Sequence, residues 1–405
     1  MGGRHQNGGG TEPAAPPGSS VHQRASQVIA DQLEKIFQQV AAAVDGRDPE
    51  GVHDMRVATR RLRAGLRVFA PWLDGDAFAR LAPAVRRLTR ALGRVRELDV
   101  LRLRLDALAL QGTPRRALAI ECVDARLARR RRRARTRMMA SFAKVDLDRL
   151  QNRLHRLAGQ LKRDVVATPA TSETPVLEAT PAEVPESHEA VAPDAVAGTI
   201  AEDQPISALL ESLGTTLVGE ARDISCAVIP VEVGSQHAAE ALHAVRIAAK
   251  KLRYQLEIVV PYLGSAGEDA VRRLRGLQDK LGDFHDDTVL DDTLRAAIER
   301  AVERDRPLLA SELRALRKAR RRALLRDERA VRAAIVKLRD ADFVGLVSAA
   351  LGSAGVVVQS AEGTMPVAVA TAPATPETAP QESPLADTPD EVRTAAAAAG
   401  LPTPD

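Results

Sequence analysis

Residues 52–73 read VHDMRVATRRLRAGLRVFAPWL, and residues 242–263 read LHAVRIAAKKLRYQLEIVVPYL. The two stretches align without a gap, and each ends in a proline followed by an aromatic residue and a leucine. A duplicated fold has to repeat its apolar positions, but it does not have to repeat its charges. Here the charges repeat as well, which indicates a shared ligand in addition to shared packing.

The repeated charges form one stripe on a helix. At about 100° per residue, positions i, i+3, i+7 and i+10 fall on one side of an α-helix. The first ladder comprises His53, Arg56, Arg60 and Arg63, and the second ladder comprises His243, Arg246, Lys250 and Arg253. Because aligned like charges repel each other, such a stripe costs stability unless something neutralises it. We favour an extended polyanion lying along both ladders over a merely solvated basic face.

The fold class follows from composition and from the length of the repeat. Aromatic residues make up only 2% of the chain, and the abundant Ala, Leu and Arg are good helix formers. Leu92-Gly93 aligns with Leu281-Gly282, and the arginines of 129–137 align with the basic residues of 318–326. We therefore predict an all-α fold, an internally duplicated pair of four-helix bundles with an approximate twofold axis.

Two acidic segments divide the chain. Residues 165–205 are rich in Pro, Thr, Ala and Glu and contain no Lys or Arg, and residues 355–405 are similar. Such composition buries too little apolar surface to offset the entropy of ordering, so both are predicted to be disordered. The predicted division is a disordered N-terminus over 1–18, a helical half over 19–163, a linker over 164–204, a second half over 205–350 and a tail over 351–405. The remaining chain is strongly basic, which favours an anionic partner.

Other features limit the class of protein. No apolar run reaches 18 residues and no secretory signal is visible, so we expect a cytoplasmic protein without a membrane span. Cys122 and Cys226 lack metal-ligand spacing and are expected to be buried free thiols. We predict no cofactor and no metal.

Four motifs resemble those of a known family. HDMRVATRRLR (53–63), HAVRIAAKKLRY (243–254), LGRVRELDVL (92–101) and LGDFHDDTVL (281–290) resemble the CHAD domain, the conserved-histidine α-helical domain. The resemblance covers about residues 19–350 and implies two four-helix bundles whose basic central surface binds inorganic polyphosphate. It also implies association with polyphosphate granules, and by residue match it places binding on the two ladders. Many relatives carry an N-terminal CYTH domain with an ExExK signature, which is absent here, so a stand-alone CHAD protein is predicted.

The residue types suit a phosphate ligand. Arginine presents a planar fork of donors to phosphate oxygens, and a histidine beside a phosphate has a raised pKa. We therefore expect tighter binding towards pH 6, as the ladder histidines gain protons. Secondary contacts are expected from Arg61, Arg87, Arg90, Arg94 and Lys251. The arginine run at 129–133 is interpreted as surface charge, because five consecutive residues point all around a helix.

Three alternatives stay open. His243, His285-Asp286 and Asp291-Asp292 contain the elements of an HD-class metal-dependent phosphohydrolase, although the first half has Arg96-Glu97 where the second has His285-Asp286. We expect no enzyme, and expect Asp99, Asp286 and Asp287 to cap helices or to pair with ladder arginines. A nucleic-acid backbone would also satisfy the ladders, but the chain has few aromatic residues for stacking. A scaffold acting through the acidic segments is the third alternative, with protein partners unspecified.

Overall fold

A computed structural model describes residues 20–167 and 202–357 of the chain. The predicted disordered N-terminus, most of the predicted linker and nearly all of the predicted tail lie outside these residues. Within them the regular structure is helical and contains no strand, which confirms the all-α prediction. The helices are α1 (Val21–Gln38), α2 (Val40–Asp45), α3 (Pro49–Val68), α4 (Gly75–Leu110), α5 (Pro114–Val145), α6 (Leu147–Ala167), α7 (Ile206–Ser225), α8 (Gln236–Val259), α9 (Gly264–Glu303), α10 (Pro307–Asp340) and α11 (Phe343–Ser353).

The two motif helices, α3 and α8, begin and end at recognisable signals. Asp48 caps α3 by accepting a hydrogen bond from the backbone N–H of Glu50 at 2.9 Å, and Pro49 opens the first turn. Short 3₁₀ turns, Ala70–Trp72 and Val260–Tyr262, follow α3 and α8, and each contains the proline noted in the sequence. The chain then reverses into the long helices α4 and α9.

Helix packing follows the same order in the two halves. α3 packs between α1 and α4, as α8 packs between α7 and α9. α4 and α5 form a long antiparallel hairpin, as do α9 and α10, while α6 returns onto α1 and α11 returns onto α7. The internal repeat thus extends to the packing of the helices, and a twofold relation between the halves stays a prediction.

The apolar cores do not divide at the linker. The larger cluster contains fully buried residues from both halves, such as Met55 of α3 and Leu252 of α8. The smaller cluster lies in the outer parts of the two hairpins and includes Leu105 of α4 and Leu294 of α9. Because each cluster takes residues from both halves, the halves share their cores instead of each enclosing its own.

Helical or packed residues are also found next to the predicted boundaries of the two halves. α6 continues past residue 163 to Ala167. On the other side of the linker, the amide of Val21 donates to the carbonyl of Gln204 at 2.8 Å, and the amide of His22 donates to Asp203 at 3.1 Å. Val356 is buried, although it lies beyond residue 350. Asp203, Gln204 and Val356 thus take part in hydrogen bonds or packing with the helices, and the division of the chain into segments stays a prediction.

Both cysteines are free, but both are exposed, so the prediction of buried thiols is wrong. Cys122 follows Ala119 and Ile120 on α5, which take the buried face of that turn and leave the thiol on the outer face. Within residues 20–167 and 202–357, no helix is both long and apolar enough to cross a membrane.

Candidate functional site

The two ladders meet because α3 and α8 pack against each other. Tyr254 of α8 lies between them: the guanidinium of Arg60 is 5.3 Å from its ring centre, and that of Arg253 is 5.0 Å away. Burial lowers the pKa of Arg56, and the nearby charges of Arg60 and Arg246 lower it further. The structure therefore joins the ladders of the two halves into one basic surface, called the ladder surface below.

Most cations of the ladder surface have no internal counter-ion. Arg56, Arg60, Arg63, Arg246 and Lys250 form no ion pair with any carboxylate of the described residues. The Nε atoms of Arg56 and Arg246 are buried, and neither has a hydrogen-bond partner within the described part of the chain. Buried donors without partners are costly and uncommon, so these side chains are suited to an external acceptor.

Lys250 is the ladder residue most affected by its neighbours. Burial lowers its pKa to about 6, and the charges of Arg246 and Arg60 act in the same direction. Asp286 on α9 opposes this shift, but more weakly. Lys250 is therefore mostly uncharged at neutral pH in the free protein, and a bound anion would favour its protonated form.

The histidines lie at the start of each ladder, and their pKa values are lowered in the free protein. Burial lowers the pKa of His53, and so does the charge of Arg96; burial also lowers the pKa of His243. His285 of α9 lies with its ring centre 5.0 Å from that of His243, and burial lowers its pKa to about 4. The histidine pH response therefore moves below the ordinary range near 6.5.

The secondary residues fall into two groups. Arg90 of α4 lies near Arg63 and contributes to lowering its pKa, after burial and the charge of Arg67. Arg87 and Arg94 are exposed on the same helix.

Two other secondary residues have counter-ions, as does one rung of the second ladder. Lys251 pairs with Glu220 at 2.5 Å, whereas Arg61 and Arg253 approach Glu257 at 3.5 and 3.8 Å. The part of Arg61, Lys251 and Arg253 in polyphosphate binding stays a prediction. Because each of them already has a carboxylate partner, we expect their contribution to binding to be smaller.

The model of the CHAD domain family matches residues 27–295, a range that includes both ladders. The chain belongs to the CHAD domain family. The crystal structure of the CHAD domain from the plant Ricinus communis has a TM-score of 0.51 and 19% identity, covering 80% of this chain and 97% of that one. PptA from Streptomyces chartreusis has 19% identity and a TM-score of 0.47, with coverage of 79% and 99%. At this identity the likeness to the plant domain concerns the fold alone. No curated protein matches the chain.

Several residues that support the ladders of this CHAD domain were missed from the sequence. A Cβ atom added at Gly93 would lie 3.3 Å from Arg56 Nε, so Gly93 leaves the room that Arg56 occupies. The repetition of Gly93 as Gly282 is visible in the sequence, but the close approach of Gly93 to Arg56 is not. Tyr254 takes the place that Ala64 has in the first motif, and no repeated pattern marked it.

The acidic residues near the CHAD ladders pair with arginines outside them. Asp286 and Asp287 of α9 both accept hydrogen bonds from Arg104 of α4, at 3.5 and 2.5 Å. Asp99 pairs with Arg131 of α5. The prediction that these aspartates cap helices or pair with ladder arginines is therefore wrong, because the long hairpins bring other arginines closer.

The structure brings together only some of the residues that the phosphohydrolase alternative requires. His243 and His285 are adjacent, but Asp291 bonds Arg317 through both oxygens, at 2.9 and 2.8 Å, and Asp292 bonds Arg295 at 2.8 Å. Among the described residues, the side chains close enough to share a metal ion are Glu50, His53 and Asp54, and Glu50 pairs with Arg96. This group contains none of the residues on which the phosphohydrolase alternative rests, namely His243, His285, Asp286, Asp291 and Asp292.

Proposed function

We propose that this CHAD protein is a non-enzymatic binder of inorganic polyphosphate, which lies along the ladder surface. The observation that carries the proposal is the convergence of five basic side chains from both halves, none of which forms an ion pair with a carboxylate of the described residues: Arg56, Arg60, Arg63, Arg246 and Lys250. A linear polyanion supplies phosphate oxygens at successive positions along such a surface. The family resemblance supports the same ligand.

The repeated sign of the ladder charges supports a ligand over a structural role. Arg102 and Asp291 occupy matching positions in the two halves and have opposite charges. Each nevertheless forms a two-point ion pair inside its own hairpin, Arg102 with Asp124 and Asp291 with Arg317. A position used in a structural ion pair can therefore change its sign between the halves, whereas the ladder positions keep theirs. A common anionic partner explains that constraint.

Polyphosphate fits the ladder surface better than a nucleic acid does. Single-stranded nucleic acids are usually held by aromatic side chains that stack on bases. The aromatic ring at the ladder surface, Tyr254, is buried, and two guanidinium groups cover it. The surface thus offers donors to a charged backbone and no exposed platform for a base.

Calorimetric titration of the full chain with long-chain polyphosphate tests the proposal. The variant Arg56→Ala/Arg246→Ala removes one central cation from each ladder and should weaken binding roughly 100-fold, because each charge-assisted contact contributes about 1.5 kcal/mol. The control Arg115→Ala/Arg329→Ala removes two exposed arginines that form no ion pair with a described residue, and it should bind as the unchanged protein does. Equal weakening in both variants, or full displacement of polyphosphate by RNA at equal phosphate concentration, would contradict the proposal.

Granule association is the cellular part of the proposal. A fluorescent fusion of the full chain should gather at polyphosphate granules, while the Arg56→Ala/Arg246→Ala fusion should stay dispersed. Gathering of both fusions would separate granule association from the ladder surface.

A further inference from the structure

The arginines of α5 divide into two sets with different surroundings. Arg131 pairs with Asp99 and donates to the carbonyl of Gly46 at 3.1 Å, and Arg135 donates to the carbonyls of Val44 and Asp45. These two side chains hold α5 against the turn between α2 and α3. The second set comprises Arg126, Arg129, Arg130 and Arg133. Its spacing of i, i+3, i+4 and i+7 places all four on one exposed face of the helix.

This face lines a cavity of about 580 Å³. Arg304, at the end of α9, completes the lining, so that the two halves of the chain both contribute. We call this space, bounded by Arg126, Arg129, Arg130, Arg133 and Arg304, the arginine cavity. Its volume falls within the range of roughly 300–1,000 Å³ that is usual for ligand pockets. It shares no residue with the ladder surface.

The cations of the arginine cavity lack counter-ions. None of its five side chains forms an ion pair or a hydrogen bond with another described residue. Arg300, one turn before Arg304, adds a sixth positive charge nearby: burial lowers its pKa, and the charges of Arg126 and Arg130 lower it further. Glu299 and Glu303 oppose that shift of Arg300, but neither pairs with a cavity arginine.

The lining indicates the chemistry of a ligand. Five guanidinium groups around one concave space create a positive field that concentrates anions of high charge. Their planar forks match phosphate oxygens, and arginine is the usual choice for such contacts. No aromatic or aliphatic residue among those the structure describes lines the cavity, so it lacks an apolar wall for a lipid chain. A compact anion made of several phosphates suits the lining best.

We infer that the arginine cavity is a second anion-binding site, which takes a condensed phosphate of three or more phosphoryl groups. The ligand is either a free short chain or a distant segment of a longer chain. Because the cavity and the ladder surface have no residue in common, the inference does not depend on the proposed function.

The test titrates the full chain with inorganic tripolyphosphate by calorimetry. The cavity variant Arg130→Gln/Arg304→Gln should bind tripolyphosphate at least tenfold more weakly than the control Arg115→Gln/Arg329→Gln. The ladder variant Arg56→Ala/Arg246→Ala should keep one tripolyphosphate site with an affinity within about twofold of the unchanged protein. Thermal unfolding checks that each variant is folded, and Arg126→Gln/Arg133→Gln serves as a second cavity variant.

Two results would overturn the inference. One is an unchanged tripolyphosphate affinity in both cavity variants, and the other is complete loss of tripolyphosphate binding in the ladder variant.

Titration with long-chain polyphosphate then distinguishes the two sources of ligand. If the cavity holds a segment of a chain bound at the ladders, the cavity variant also loses affinity for the long chain; if it holds a free short chain, it does not. Long-chain binding that is insensitive to the ladder variant would contradict the proposed function and leave the cavity site standing.

Discussion

Gly93 matters at the scale of single residues because it borders Arg56, a half-buried arginine of the first ladder. A Cβ atom there would lie 3.3 Å from Nε of Arg56, closer than most such contacts, and 3.5 Å from its Nη2, an ordinary contact distance. We expect Gly93→Ala to displace Arg56 and to weaken polyphosphate binding by about 1 kcal/mol, or roughly fivefold. Calorimetric titration of the two proteins measures the difference.

The duplicated chain supplies the matched control for Gly93. At the equivalent residue, Gly282, a Cβ atom would meet nothing within 4 Å. Both substitutions raise helix propensity, by up to about 1 kcal/mol. Gly282→Ala should therefore match Gly93→Ala in helix propensity and leave binding unchanged. Equal loss of affinity in the two variants would show that helix rigidity matters and the contact with Arg56 does not.

Lys250 should make folding stability depend on pH. Its pKa is about 6 in the folded protein and near the ordinary 10.5 in the unfolded chain. Between these values the unfolded state binds more protons, so the free energy of unfolding rises as pH increases from about 6, by on the order of 1 kcal/mol per pH unit. Below pH 6 the lysine is charged in both states, and the cost of burying the charge is fully present.

Lys250→Met should remove this dependence. Urea unfolding at pH 6, 7.5 and 9 should show the largest gain in stability for Lys250→Met at pH 6, and a flatter profile than that of the unchanged protein. Lys144→Met, which replaces an exposed lysine, should keep the original profile. Parallel profiles for the unchanged protein and Lys250→Met would mean that Lys250 stays charged in the fold.

Ligand binding should reverse the shift of Lys250 and take up protons. A polyanion stabilises the charged forms of Lys250, His53 and His243, whose pKa values are lowered in the free protein. Affinity should therefore increase as pH falls from 8 to 6, and the Lys250 contribution should level off below about pH 6. Titrations at pH 7.5 in two buffers of different ionisation enthalpy measure the uptake, which should be smaller in Lys250→Met. An affinity that is constant between pH 6 and 8 would exclude all three groups from this role.

Among the helices, Asp287 is the main polar connection between the two hairpins. Its buried carboxylate accepts hydrogen bonds at 2.5 Å from both Arg104 of α4 and Arg320 of α10. Removing one partner of a buried ion pair is costly, because the remaining charges lose their compensation. We expect Asp287→Ala to lower the free energy of unfolding by about 3 kcal/mol, measured by urea denaturation.

Asp292 on the same helix is the control for Asp287. It pairs with Arg295 on the exposed side of α9, where ion pairs contribute little. Asp292→Ala should change the stability by less than about 0.5 kcal/mol. If the two variants unfold at the same urea concentration, the cluster around Asp287 contributes no more than an ordinary surface pair.

The elements show what a sequence can and cannot predict here. The ladders are visible in the sequence because their charges repeat at helical spacing, and the ends of the two motif helices are visible because Pro71 and Pro261 are strong local signals. The pairing of Arg104 with Asp287 joins distant residues and has no repeat in the other half, so no local pattern marked it.

The arginine run shows a different limit. The sequence presents it as one unit, 129–133, whereas helical periodicity assigns Arg131 to the packed side and joins Arg126 to the exposed face. The cavity itself also needs Arg304, which comes from the other half of the chain and which no periodicity within α5 could reveal.

At the scale of the whole molecule, the shared cores and the shared ladder surface have the same consequence. Both apolar clusters contain residues of both halves, and the ladder cations lie where α3 meets α8. The second half also begins beside the first, because Gln204 accepts a hydrogen bond from Val21 at the start of α1. Each half alone would therefore expose apolar residues that the other half covers, and would carry only one of the two ladders.

The fragments 20–167 and 202–357 test this dependence. Each fragment alone should expose the apolar residues that its partner covers, and should unfold without a cooperative transition. Mixed at equal concentration, the two should recover cooperative unfolding, since the cores then close as they do in the single chain. Polyphosphate affinity should follow the same pattern, with each fragment more than tenfold weaker than the mixture, because the ladder surface needs α3 and α8 together. A single fragment that folds cooperatively and binds as tightly as the full chain would mean that one ladder is a complete site, and the repeated motif would then signify two sites in place of one.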